Sequence, residues 1–293
     1  MFKLSDFFTK VIREGEFLQT QFSNTEMSDS ICYVAREQFL NQANKNPRIS
    51  CVIVPDGLAD KVSPQKGLVV ADRPEQVFYQ LHNDLYQKYS MHPDMQFGRG
   101  EEVTIHPSAI ISERTYIGSR VIIGAGVIIE DYCHIDDDVI VESGAIIGSS
   151  GHYYKTYNNS LFRVEHAGGV WLDKGVQILA GAVVSKSLHA DFTKVGKETV
   201  ISIKAHVGHG CQIGQRCTLT GNVQVSGFTT IGDDVWIGPS ATIGNLLTIG
   251  DKSRIEIGSV VIKGLPVGSR VSGNFAWNHR ANLRNYTKKV NDK

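Results

Sequence analysis

A mainly β protein built around a parallel β-helix is the fold class this sequence predicts, and three observations predict it. From Val195 onward an aliphatic residue recurs every six positions, through Ile201, Val207, Ile213, Leu219, Val225, Ile231, Ile237, Ile243, Ile249, Ile255, Val261 and Val267. The same period runs through Ile105, Ile111, Ile117, Ile123, Ile129, Ile135, Val141 and Ile147, and again through Leu172, Ile178 and Val184. Glycine often follows the aliphatic position, as in Ile117-Gly118, Ile213-Gly214 and Ile249-Gly250.

A period of six belongs neither to an α-helix nor to a strand that alternates every two residues. It fits a short strand followed by a corner, and three such hexads make an 18-residue triangular rung. The aliphatic side chain points into the prism, and small residues or Asn, Asp and Gly are expected at the tight corners. Rungs stack at about the 4.8 Å strand spacing, so each covers the apolar face of its neighbour. The coil is read over residues 105–271, within a domain of 101–272.

Two stretches break the register. Residues 148–171 and 185–194 are too long for regular hexads, and long excursions from a rigid scaffold usually carry function or contacts. The first is rich in rings: His152, Tyr153, Tyr154, Tyr157 and Phe162.

Residues 1–100 lack the repeat and read as a small α/β domain. Residues 4–14 suggest a short helix, 31–34 a strand, 35–44 a helix, and 50–55 and 67–71 buried strands. Asp72 is placed to cap a helix through about residue 89, with Pro74 in its first turn and Val77, Leu81 and Leu85 as its apolar stripe. The tail, 273–293, reads as a short basic helix placed to cover the last rung, whose open edge would otherwise invite pairing.

Composition narrows the function. The 293 residues are 41% apolar and 20% charged, ordinary globular values, and thirty basic residues balance thirty acidic ones. That balance gives no electrostatic footprint for nucleic acid. No apolar run of signal-peptide or membrane-spanning length is present, so a cytoplasmic location without a transmembrane segment is expected. Five cysteines without a CxxC pair fit reduced thiols and argue against a disulfide framework or a metal site.

Beyond the repeat, the chain carries KLSDFF near its start, ICYVAREQFL over 31–40, VIVP, GLVVADRP, IHPSAII at the entry to the coil, and VGHGCQIG over 207–214. With these motifs, from Lys3 to about Leu283, it resembles the UDP-3-O-acylglucosamine N-acyltransferases of lipid A biosynthesis and similar nucleotide-sugar N-acyltransferases. The left-handed sense of the coil is implied by this resemblance, since parallel crossovers otherwise run right-handed. So is a parallel homotrimer with its site between two subunits, a closed arrangement that suits a flat-faced prism.

The resemblance implies an N-acyltransferase that binds no cofactor and uses an acyl-CoA or acyl carrier protein thioester as co-substrate. The matching general base is His209, because a neutral imidazole can take the proton lost when an amine attacks a thioester. The repeat agrees: His209 stands two positions after inward Val207, on the outer surface, and one rung further lies Gly227, two positions after Val225. The family uses the glycine at that position as an oxyanion donor. His206 has no catalytic counterpart and reads as structural or as a substrate contact. Tyr33 and Phe39 match the two aromatics that hold the nucleotide's base.

Two departures bear on the substrate. Leu246 stands where the lipid A enzymes carry a second histidine, and the chain ends at Lys293 without their longer C-terminal helix. They favour a relative that acylates a UDP- or dTDP-linked amino sugar, with a short chain from CoA, for surface polysaccharide. The lipid A reaction itself, with an acyl carrier protein donor, is the alternative. A non-catalytic β-helix scaffold is the third reading.

Overall fold

The computed structural model of the chain describes residues 1–273 together with 280, 281, 284, 287 and 288. The coil consists of three parallel sheets of eight, eight and nine strands. Strands pair with a step of 18 residues, as in Ile110↔Ile128↔Ile146 and His206↔Gln224↔Thr242↔Val260. It is a left-handed parallel β-helix. The aliphatic ladder from Ile117 to Val261 is buried, joined by a second inward position two residues earlier in each hexad, such as Val121, Ala205, Cys211 and Val235. Alternation along a strand explains the pair, since positions two apart share a face.

The glycine after the aliphatic position is a matter of closeness between rungs. An added Cβ on Gly214 would lie 2.5 Å from the Gly232 carbonyl oxygen, and one on Gly238 would lie 2.6 Å from the Ile257 nitrogen. The corners meet expectation in part: Gly126, Gly144, Gly181, Gly210, Asp138, Asn222 and Asp234 take left-handed backbone there, but they are not alone. The same left-handed backbone is adopted by Arg120, Lys204, Arg216, Phe228 and Leu246, whose long side chains lie outside the prism.

The ladder ends before the spacing suggests. Ile255 pairs with Val271 and Ile249 bridges to Leu265, so the last rung is two residues short and Val267 is 68% exposed. The step also lengthens twice: Ile147 pairs with Val184, and Val184 with Val207. The surplus forms the two predicted excursions. The first folds into an antiparallel hairpin, Tyr154–Tyr157 with Ser160–Arg163, turned by Asn158 and Asn159. Both asparagines have positive φ (50° and 62°), as a two-residue turn with right-handed twist requires.

The N-terminal domain is a five-stranded sheet in the order Val11–Arg13, Gly67–Val70, Ile49–Val54, Ser30–Tyr33, Gln19–Thr20. Only the first strand runs antiparallel to its neighbour. The short helix Leu40–Lys45 and the long helix Pro74–Tyr89 complete it. Residues 4–14 are not a helix: a 3₁₀ turn, Leu4–Asp6, is followed by the strand Val11–Arg13. Their apolar spacing serves instead a ring cluster in which Phe7 packs on Phe2, Phe17 and Tyr89. Asp72 does not cap the long helix; Arg73 is its N-cap residue, without a side-chain bond.

The excursions join the two parts. Val164, Ala167, Leu188 and Ala190 share one core with Ile31, Phe78, Tyr79 and Leu85 of the N-terminal domain. Lys155 Nζ donates to Glu75 Oε1 at 2.7 Å, and Asn83 both donates to the Arg163 carbonyl and accepts from the Glu165 amide. The predicted tail helix, 273–293, lies mostly outside the described residues.

Candidate active site

His209 and Gly227 lie on one face of the coil. Val207 and Val225 beneath them pair in register and are fully buried, while the imidazole stays outside the prism and is half-buried. The next rung clasps the histidine: the Phe228 amide donates to the His209 carbonyl at 2.8 Å. A Cβ built on Gly227 would lie 2.4 Å from His209 Nε2, so the ring passes directly over the glycine and no side chain fits there.

Among the described residues, the Gly227 amide donates no hydrogen bond, and Gly208 leaves it uncovered. An added Cβ on Gly208 would stand 2.7 Å from the Gly227 nitrogen. An unspent N–H beside an imidazole nitrogen is the pairing that a tetrahedral oxyanion and a departing proton require.

Rings orient His209. Tyr153 meets it edge-on at 5.6 Å, Phe228 at 5.0 Å and His166 at 5.3 Å between centroids. These partners are themselves anchored. The Tyr153 hydroxyl shares a 2.7 Å hydrogen bond with that of Tyr79, and Phe228 packs at 4.9 Å on Phe22 of the N-terminal domain. Gly151 closes the other side, where a Cβ would lie 2.4 Å from Nδ1. The site is thus roofed by the chain's own first excursion. Burial, reinforced by the nearby His206 and His152, pushes the His209 pKa down to about 4 rather than leaving it near 6.5. The imidazole is therefore neutral at pH 7, as a base must be.

The remaining predicted residues divide. His206 is half-buried on the outer face of the rung, with Nε2 3.3 Å from Ser185 Oγ. Leu246 is exposed, and its amide donates to the Gly227 carbonyl. Tyr33 packs against Phe78 and Tyr79, and its hydroxyl donates to Glu75 Oε1 at 3.2 Å. Phe39 is 48% exposed and, among the described residues, makes no ring contact with Tyr33. Sequence reasoning missed Gly151, His166 and Gly208. Of these, only Gly208 had a visible signal, as the glycine after an aliphatic position.

No family model matches the chain. Curated proteins do. An 80-residue stretch, 27% of this chain, is 36% identical to the protein of Microcystis aeruginosa named UDP-3-O-acylglucosamine N-acyltransferase. A protein of the same name from Synechococcus elongatus is 31% identical over 80 residues. The chain resembles this group of enzymes. The matches span 23% and 22% of those relatives' own length.

Solved structures are similar over part of the chain. The Francisella novicida UDP-N-acetylglucosamine acyltransferase is 21% identical, covering 63% of this chain and 71% of its own, with a TM-score of 0.46. The Arabidopsis UDP-N-acetylglucosamine acyltransferase is 17% identical, covering 67% and 75%, with a TM-score of 0.49. Among the described residues no helix is long and apolar enough to cross a membrane.

Proposed function

We propose that this chain is an N-acyltransferase that moves an acyl group from a thioester to the amino group of a UDP-linked amino sugar. The carrying observation is the His209 imidazole lying over Gly227, whose amide is unspent. The neutral amine attacks the thioester carbonyl. His209 Nε2 takes the proton from the nitrogen while the Gly227 N–H holds the oxyanion. The C–S bond then breaks, and the proton held by His209 passes to the departing sulfur, releasing the thiol and leaving an amide.

The similarity to proteins named UDP-3-O-acylglucosamine N-acyltransferase supports an acylated glucosamine as acceptor, the lipid A type of reaction, ahead of the short-chain reaction favoured from the sequence. Exposed Leu246 still supports the short-chain reading. Incubation with UDP-3-O-acylglucosamine and a 3-hydroxyacyl carrier protein should release thiol and give an N-acylated product. Release only with short acyl-CoA and a UDP- or dTDP-amino sugar would select the second reading. No release with any pair would leave a scaffold.

Tyr33 and Phe39 are proposed to hold the base of the nucleotide. Base–aromatic stacking is worth about 1–3 kcal/mol per ring, so Phe39→Ala should raise the Michaelis constant for the sugar nucleotide roughly tenfold at unchanged kcat. An unmoved constant would remove Phe39 from the site. A parallel homotrimer is proposed as the working form. Ile110, Ile128, Ile146 and Val183 form an apolar row along the outer face of one sheet, which a neighbouring coil would cover. Light scattering should give three chains of 32.3 kDa. An active monomer would refute a shared site.

A further inference from the structure

We propose that His166 is the positioning residue for His209: it accepts the Nδ1 proton of the base, which keeps Nε2 unprotonated and turned toward Gly227. This rests on His209 acting as the base. His166 comes from the far end of the first excursion and is 2% exposed, yet neither of its ring nitrogens has a partner among the described residues. A buried polar group left unpaired destabilises the fold, and an apolar side chain would avoid that cost. The cost is placed against the base. The Cβ position of Gly151 is 2.4 Å from His209 Nδ1 and 3.1 Å from His166 Nε2, so the two nitrogens flank one side-chain-free point.

The centroid separation of 5.3 Å is close to that of two imidazoles sharing an N–H···N bond of roughly 3 Å. A small rotation of either ring closes it. The nitrogens are also matched in role. A base that works through Nε2 carries its hydrogen on Nδ1, and His166 can accept that hydrogen only while neutral. Burial drives its pKa down to about 3, and His209, Lys186, His82 and Arg163 around it add in the same direction. When Nε2 takes the proton from the substrate nitrogen, the new positive charge spreads to Nδ1–H and is held by the His166 lone pair. No proton moves onto His166.

The test needs no substrate. Diethyl pyrocarbonate acylates a histidine through its unprotonated nitrogen, and the ring must shed its other N–H proton as the adduct forms. Modification of His209 in the folded full chain is followed at pH 7 by peptide mass spectrometry, with exposed His152 as internal reference. His166→Phe should slow His209 roughly tenfold, the scale seen when a partner orienting a working histidine is lost. His166→Gln, whose amide oxygen accepts, should stay within about threefold of the natural chain. Gly151→Ala, which inserts a methyl between the rings, should slow it like the phenylalanine variant and serves if that variant does not fold.

Unchanged rates in the phenylalanine and alanine variants, or equal slowing by Phe and Gln, would overturn the proposal. Slowing that follows this pattern, combined with full acyl transfer by His209→Asn, would keep the histidine pair and refute the reaction.

Discussion

His209→Asn is expected to lower kcat by roughly 10²–10⁴ with little change in the Michaelis constants, the usual cost of removing a general base. Asparagine keeps much of the polar outline of the ring but offers no nitrogen lone pair. The cage of Tyr153, His166 and Phe228 would still stand, so binding should persist. Gly227→Ala should do comparable damage by another route. Its methyl would need the space occupied by Nε2, 2.4 Å away, and the imidazole is the part free to move. Initial rates against both substrates decide the matter, and near-natural turnover by His209→Asn would send the proton elsewhere. The pH profile gives a further check. With its pKa pushed down to about 4, His209 is already neutral at pH 6, so its protonation contributes no fall in kcat/KM through pH 6.5.

How far this site could be read from the sequence follows from how each residue reaches it. Val207 and Val225 belong to a period that burial enforces, and anything riding on that period, His209 and Gly227 included, can be placed by counting. Val267 shows where counting fails. The rung around Gly264, Leu265 and Pro266 is shortened, and no local signal marks the lost register. Residues 4–14 mislead because a helical apolar spacing also suits a turn and strand whose rings meet Phe17 and Tyr89 from distant parts of the chain. Gly151 and His166 arrive from an excursion with no period at all, so their meeting with His209 exists only once the hairpin has docked on the helix Pro74–Tyr89. Tyr33 and Phe39 are singled out by the resemblance one by one, and their mutual geometry depends on tertiary packing that spacing does not encode.

Acid is expected to open the seam between the two parts before it touches the coil. His82, His166 and His189 are 0%, 2% and 1% exposed there, and burial pushes them down to about 4, to about 3, and well below the usual range. Unfolded histidine titrates near 6.5, so below that pH the unfolded chain binds three protons that the folded one refuses. Stability is therefore intact above pH 6.5 and is lost as the pH falls toward the folded values. Each histidine contributes about 1.4 kcal/mol per pH unit in that window. Asp191 opposes them. Burial raises its carboxyl to about 6, above the unfolded value near 3.9, so its protonation in the folded state stabilises as pH falls between those limits. Three protons against one leave a loss of about 4 kcal/mol between pH 7 and pH 5, a large share of the roughly 5–15 kcal/mol that holds a domain together. The coil core carries no such group, being a ladder of aliphatic residues and thiols. Hydrogen exchange at pH 5 should show residues 74–89, 148–168 and 185–191 losing protection while the strands from His206 to Val261 keep theirs. His189→Leu should shallow the pH dependence by about one histidine's share. Equal urea midpoints at pH 7 and pH 5 would mean that the seam histidines are hydrated, with pKa values near those of free imidazole.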